Sequence, residues 1–352
     1  MQALTVKIRI LPDNTSDFCK LSKEYIRVVN LLVEQAWKND VLPKVSTKHI
    51  DAALPSAVLN QAIRDAKSVY RKSKKQGKIA ALHKPAYFVN NQNYTVDDDR
   101  VSFPILVNGK AKKTTFHAIV PHRDQALLKG AKLGLLRLVE KSGKWYAQVS
   151  LEIPTREPVT VDTVMGVPLG LKVPAVAATS NGKTKFFGNG RQNKFMRRYF
   201  HSRRRRLGKL KKLSAIRKLS NKEQRWMTDQ NHKISRQIVN FAIKQGVSII
   251  KLEQLKNIRS TARTSRKNAK NLHNWSFYQL QSLVQYKANM AGIHVVEVNP
   301  AYTSQTCPNC GKRNKTADRN YHCICGFHGH RDRVGAINIM NQPVADGNSL
   351  SA

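Results

Sequence analysis

Acidic side chains are scarce in this chain. Asp and Glu number 22 against 62 Lys and Arg, a net charge of +40 over 352 residues. Self-repulsion of that size calls for a polyanion to neutralise it. Nucleic acid is the leading partner on this count, with an anionic membrane surface as the competitor. Long hydrophobic runs are also lacking. None approaches the roughly 20 apolar residues of a membrane span. The N-terminal MQALTVKIRILPDN alternates like a strand and has no apolar signal-peptide core. A cytoplasmic, nucleoid-associated protein with no membrane partner is the expectation. Cysteine is sparse as well, five in all, and four of them fall within 19 residues near the C-terminus. A disulfide framework would spread them out, so the clustering argues for a metal. What is present, 41% apolar residues, suffices for a packed core and excludes a disordered basic tail. The length allows two or three domains.

Residues 3–11 alternate as one strand, and 16–40 and 55–76 carry apolar residues at helical spacing. From 86 to 153, short alternating runs separated by NQN, NGK and KSGK turns predict an antiparallel β-domain. A lone strand, then helices, then more strands predicts a barrel with a helical insertion. After a linker at 152–162, residues 164–188 read as a hairpin around Asn181-Gly182. Basic helices follow at 191–245, a buried strand at 246–255, a basic loop at 256–271, a helix at 275–292 and a strand at 294–298. A last helix is expected at 331–342. Hairpin, helix, strand, helix, strand, helix is compatible with an RNase H-like α/β core.

Cys307-x2-Cys310 and Cys323-x-Cys325 are two close pairs, each followed by glycine, Gly311 and Gly326. Four thiolates at such spacing predict a structural Zn²⁺ ribbon with no open ligand position. The CxC pair is tighter than the usual knuckle, and His322 stands as the alternative to Cys323 because His322-x-x-Cys325 restores the wider spacing.

No acid occurs from Thr163 to Lys222, and residues 191–218 hold thirteen Lys and Arg. A solvated helix face would mix signs for i,i+4 pairing. The run therefore predicts phosphate binding, with Arg197, Arg198, Arg203, Arg204, Arg205 and Arg206 as the contacts. A second acid-free run, 254–296, adds Arg263, Arg266 and Lys267. The aromatics in its second half, Trp275, Phe277 and Tyr278, read as one helix packed on the core, with base stacking as the alternative.

MGVPLGLK, IIKLEQLKNIR, NPAYTSQTCPNCG and HRDRVGAINI occur in that order, and together they resemble the TnpB proteins of insertion sequences, RNA-guided relatives of type V CRISPR effectors. The resemblance covers most of 160–342. It implies a multidomain α+β protein with a β-barrel wedge domain (1–14 and 84–154) and a helical recognition insertion (15–83). A RuvC (RNase H-like) domain (160–302 and 331–342) follows, carrying an inserted zinc ribbon (303–330), and a polar tail (343–352) closes the chain. It also implies a guide RNA and a target double-stranded DNA with a short flanking motif as partners. The guide would read sequence, while the protein reads shape and that motif. Ser56, Asn60, Gln61, Arg64, Lys67 and Tyr70 on the helix at 55–76 are the candidates for motif reading.

In the family, three carboxylates hold two divalent ions about 3.5–4 Å apart. Glu253 and Asp332 match two of them, but the first position, in Gly166-Val167-Pro168-Leu169-Gly170, is Pro168. Proline cannot ligate a metal and removes a backbone donor. The expectation is therefore that Mg²⁺ binding is impaired and that the chain is no enzyme, with Glu253 and Asp332 vestigial. In that reading it is similar to the nuclease-dead TldR repressors, which block transcription by occupying a target. The alternatives are an active RNA-guided endonuclease and an RNA-independent zinc-ribbon DNA-binding transposon accessory.

Overall fold

The computed structural model describes residues 2–42, 44–84, 86–157, 162–219, 221–255, 276–316 and 318–343. The chain folds as two compact units, Met1–Pro154 and Thr155–Ala352.

The first unit is built on a seven-stranded antiparallel sheet. Its strands are β1 (Gln2–Leu11), β2 (Tyr87–Val89), β3 (Thr95–Val96), β4 (Arg100–Val107), β5 (Lys110–Ile119), β6 (Lys132–Lys141) and β7 (Lys144–Ile153), in the order β2-β6-β7-β1-β5-β4-β3. The expected barrel is a curled, open half-barrel, because β2 and β3 stay at its two edges. The Tyr87 hydroxyl nevertheless donates to the Pro104 carbonyl at 2.5 Å, from β2 to β4. Period-two alternation turns Val6, Ile8 and Ile10 of β1 inward. Two helices, α1 (Thr15–Lys38) and α2 (Ser56–Gln76), lie in sequence between β1 and β2. Phe18 of α1 packs its ring 5.0 Å from Phe116 and 5.3 Å from Trp145, which closes the curl over an aromatic core. Asn14 caps α1 by accepting from Ser16 N. A short helix, α3 (His122–Gly130), interrupts the strands where none was expected. Its signal, Pro121 before DQALL, is only nine residues long.

The second unit holds a five-stranded sheet. Its strands are β8 (Thr163–Val167), β9 (Ala175–Thr179), β10 (Thr184–Phe187), β11 (Val247–Glu253) and β12 (His294–Val298), in the order β10-β9-β8-β11-β12. β8, β11 and β12 run parallel, while β9 pairs antiparallel with both β8 and β10. Three helices, α4 (Gly190–Lys209), α5 (Leu213–Leu219) and α6 (Lys222–Lys244), fall between β10 and β11. A fourth, α7 (Phe277–Met290), joins β11 to β12. Alternation sorts the sheet. Met165, Val167, Ala175, Ala177, Ile250 and Leu252 pack against α6 and α7. On the other face, Val176 and Ala178 pack on Ala336 of the last helix, α8 (Arg331–Asn341). Gly166 lets α8 come down onto β8: a Cβ there would collide with the Ala336 carbonyl and the Met340 amide. A small hairpin, β13 (Asn320–His322) with β14 (His328–His330), leads into α8.

Candidate functional site

Residues Lys251 and Gly166 are register partners, as are Leu252 and Val167. Pro168 and Glu253 therefore stand side by side at the carboxyl ends of two adjacent parallel strands, where open α/β sheets place their sites. Both follow the alternation that faces α8. Asp332 sits in the first turn of α8, where the helix dipole favours an acid. Pro168, Glu253 and Asp332 line one cavity of ≈ 370 Å³, together with Lys172, Asp318 and Arg319. The Pro168 ring is packed toward Gly335, where an added Cβ would meet its Cγ at 3.9 Å.

The two acids differ in environment. Burial pushes the Glu253 carboxyl up to about 7, against the backbone N–H of Leu169, which donates to it; Asp332 nearby raises it further. The Glu253 carbonyl accepts from Gln281 Nε2 of α7 at 2.6 Å, which fixes the strand end. Asp332 Oδ1 accepts a close hydrogen bond from Arg319. Its Oδ2 is buried with no hydrogen-bond partner among the described residues, and His330 Nδ1 stands 4.0 Å away. His330 also caps α8, accepting from Asp332 N at 3.2 Å. Two carboxyl groups on one cavity wall, of which Glu253 titrates near neutrality, form a donor set that can hold a divalent cation. Lys251, on the same face of β11, donates from Nζ to the Gln342 carbonyl at 2.5 Å and so anchors the far end of α8.

The four cysteines converge. The sulfurs of Cys307, Cys310, Cys323 and Cys325 all lie within 4.8 Å of one another, a donor set that fits a metal such as zinc. His322 is outside this set, its ring stacked 6.4 Å from His328. The CxC spacing works because Cys323–Gly326 is a turn: Gly326 N donates to Cys323 O at 3.0 Å, with Gly326 at φ +85. The N–H of Phe327 and the Asn309 side chain hold the Cys325 thiol below its usual range, at about 6. Beneath the cluster, Cys307 packs with Tyr321 and with Val334 of α8, and the Tyr321 hydroxyl donates to Gln305 O at 3.0 Å. The cysteine site thus shares a small core with the helix that carries Asp332.

The basic helix divides its arginines. Arg204 bonds Glu223 of α6 at 2.6 Å, and Arg197 approaches the same carboxylate at 3.9 Å. Burial lowers the Arg197 pKa. This pair serves the α4–α6 contact. Arg203 donates to the Tyr199 hydroxyl at 2.5 Å. Arg198, Arg205 and Arg206 are exposed, with no acidic partner among the described residues. Arg263, Arg266, Lys267 and Trp275 lie outside the described residues, Phe277 is buried, and Tyr278 is 74% exposed. On α2, Ser56, Asn60, Arg64 and Lys67 are exposed. Tyr70 is buried, its hydroxyl donating to Asp40 at 3.4 Å, and Gln61 holds Asp65 at 3.1 Å. Those two side chains are engaged within the helical pair. Arg319, Lys172 and Glu223 were missed. Arg319 is thirteen residues before Asp332 and meets it only because the β13–β14 hairpin folds back.

Comparison with known proteins defines the class. Residues 148–259 match the family described as "Probable transposase" (OrfB of IS605), and residues 277–339 match "Cas12f1-like, TNB domain". A "Putative transposase MJ0856.1" of Methanocaldococcus jannaschii is 35% identical over 100 residues, covering 22% of this chain and 92% of that protein. The chain belongs to the TnpB-like family of IS605-type transposases. A "CRISPR-associated endodeoxyribonuclease Cas12f1" of Sulfoacidibacillus thermotolerans is 31% identical over 219 residues, 57% of this chain and 50% of that one. The chain thus spans about half the length of this relative. The protein in a solved structure titled "Cryo-EM structure of the Cas12f1-sgRNA-target DNA complex" has the same fold, with a TM-score of 0.70 at 18% identity, covering 92% of this chain and 82% of that one. The relative's name is that of a nuclease. This overturns the expectation, drawn from Pro168, that the chain is no enzyme. Among the described residues, no helix is long and apolar enough to cross a membrane.

Proposed function

We propose that this chain is an RNA-guided, sequence-specific DNA-binding protein that occupies a target duplex beside a short flanking motif and represses transcription by occlusion. The observation that carries this is the sorting of charge on α4. In a stretch with no acid of its own, the inner arginines are neutralised by Glu223, and Arg198, Arg205 and Arg206 are left bare toward solvent. A resident RNA supplies the polyanion that a net charge of +40 requires. The domains keep the roles implied by the resemblance: a wedge and a helical recognition insertion in the first unit, a RuvC domain with a zinc ribbon in the second. On the recognition helix, the exposed stripe of Ser56, Asn60, Arg64 and Lys67 reads the flanking motif. Zn²⁺ in the cysteine set is structural.

A second reading, cleavage of the bound DNA, is favoured by the name of the endodeoxyribonuclease relative and by the meeting of Glu253 and Asp332 in one cavity. Those two carboxylates would hold a divalent ion, and Pro168 adds no side-chain oxygen. When bound, such an ion polarises a phosphodiester and activates water. Arg319 would orient Asp332 toward it, and Glu253 would have to release its proton first.

Sequencing of RNA that co-purifies with the protein tests both readings. A discrete RNA with a constant scaffold and a variable end is expected. The complex programmed with that RNA should shift a matching duplex and lower a reporter placed downstream of it. Product strands on adding Mg²⁺ would establish cleavage. Absence of any enriched RNA would overturn the guided reading and leave a zinc-ribbon DNA binder.

A further inference from the structure

The outer face of α4 carries more than charge. Phe195 and Tyr199 are 64% and 42% exposed. They are four residues apart, so they occupy one stripe of the helix with their backbones about 6 Å apart along its axis, and the Tyr199 ring stands edge-on 5.3 Å from the buried Phe200 ring. Ser202 and Arg206 continue that stripe at helical spacing, with Arg198 on one flank and Arg203 on the other. Arg203 bonds the Tyr199 hydroxyl, and its guanidinium lies 5.9 Å from the ring centroid. The helix packs through its opposite side, where Phe200 is buried and Arg197 and Arg204 meet Glu223. The two exposed rings are therefore not core residues of the described unit.

Single exposed hydrophobes need no explanation. Two exposed aromatic residues on one helix face, flanked by guanidiniums, in a stretch with no acid between 163 and 222, are a specific chemistry. Base faces stack on the rings while phosphates pair with the cations. A duplex hides its base faces and would offer these rings only backbone. We propose that Phe195 and Tyr199 form a stacking platform for unpaired bases of the RNA this chain carries, with Arg198 and Arg206 on its phosphates. This rests on the RNA-guided reading, and RNA is chosen over a DNA strand for a physical reason. Resident RNA covers the rings from assembly onward, whereas DNA would leave them in water whenever no target is bound.

The test uses the full chain and a short single-stranded RNA bearing 2-aminopurine, whose fluorescence is quenched by stacking. Wild type should quench it. The double variant Phe195→Ala/Tyr199→Ala should lose the quench and bind about tenfold more weakly. Phe195→Tyr should keep the quench, and Phe195→Leu, which retains apolar area without a ring, should lose it. Arg198→Ala/Arg206→Ala should flatten the salt dependence of binding. Three results would overturn the platform: an unchanged quench in the double alanine variant, equal quenching of a single-stranded DNA of the same sequence, or a wild-type dimer that this variant dissociates. Wild type binding no RNA at all would sink the RNA-guided reading itself. Wild type and variant binding RNA alike would sink only the platform.

Discussion

Glu253 holds its proton in the folded protein up to about 7, where the unfolded chain gives it up near 4.5. Between those values folding takes up a proton, so stability falls as pH rises through the window and levels off above it. Glu253→Gln removes the penalty. In buffer without Mg²⁺ the variant should be more stable than wild type near pH 8, by at most about 3 kcal/mol, and no more stable near pH 4. Denaturant melts at both pH values check this, and a gain of equal size at both would show that the carboxyl is not buried in its charged form. Pro168→Asp places a third carboxylate in the same cavity. Like charge should lower its metal-free melting temperature below that of wild type and enlarge the rise on adding Mg²⁺. An equal Mg²⁺ response in both proteins would place position 168 outside the cation site. At this scale the sequence was informative only where a motif fixed the residue: Pro168, Glu253 and Asp332 were visible in their strings. Arg319 and Lys172 enter the same cavity through a hairpin and a loop, and no local pattern marks them.

Between elements, Glu223 carries the contact of α4 with α6. It is the first acid after the long acid-free run, and it serves two arginines at once. Glu223→Ala leaves the half-buried Arg197 and Arg204 without their shared carboxylate, which should cost about 1 kcal/mol of stability. The same change frees two cations, so nucleic acid affinity should hold or rise while the melting temperature falls. Parallel loss of both would mean that α4 itself unfolds. Strand β12 was legible to its ends, since HVVEV lies between a glycine turn and a proline. The openness of the first sheet was not legible, because closure depends on how far the strands curl rather than on their alternation. The pairing of Arg197 and Arg204 was also hidden. Helical spacing puts them on one face, but only the packing against α6 shows that this face is the inner one.

At the scale of the second unit, the cysteine ribbon is coupled to α8, the helix that carries Asp332: Cys307 packs with Tyr321 and with Val334 in the first turn of that helix. Structural metal sites of this kind carry their own folding energy. Removing zinc should therefore lower the melting temperature and open residues 307–330 to protease. It should also release Arg319 from Asp332, changing the Mg²⁺ response of the cavity. Metal content by mass spectrometry, followed by limited proteolysis with and without chelator, checks the chain of events. A chelated protein with unaltered proteolysis would separate the ribbon from the cavity.

The seating of α8 on Gly166 also sets a timetable. The strand that receives the helix is made some 170 residues before it, and ribosomes extend chains at about 5–20 residues per second. During that interval Val176 and Ala178 have no cover on their own face of the sheet. The first unit can complete its sheet while the second is still being made, whereas the second gains its outer layer only once residue 341 has left the ribosome. For that period the nascent protein presents a basic, half-covered sheet, and an RNA already bound to α4 would be present before the cavity exists.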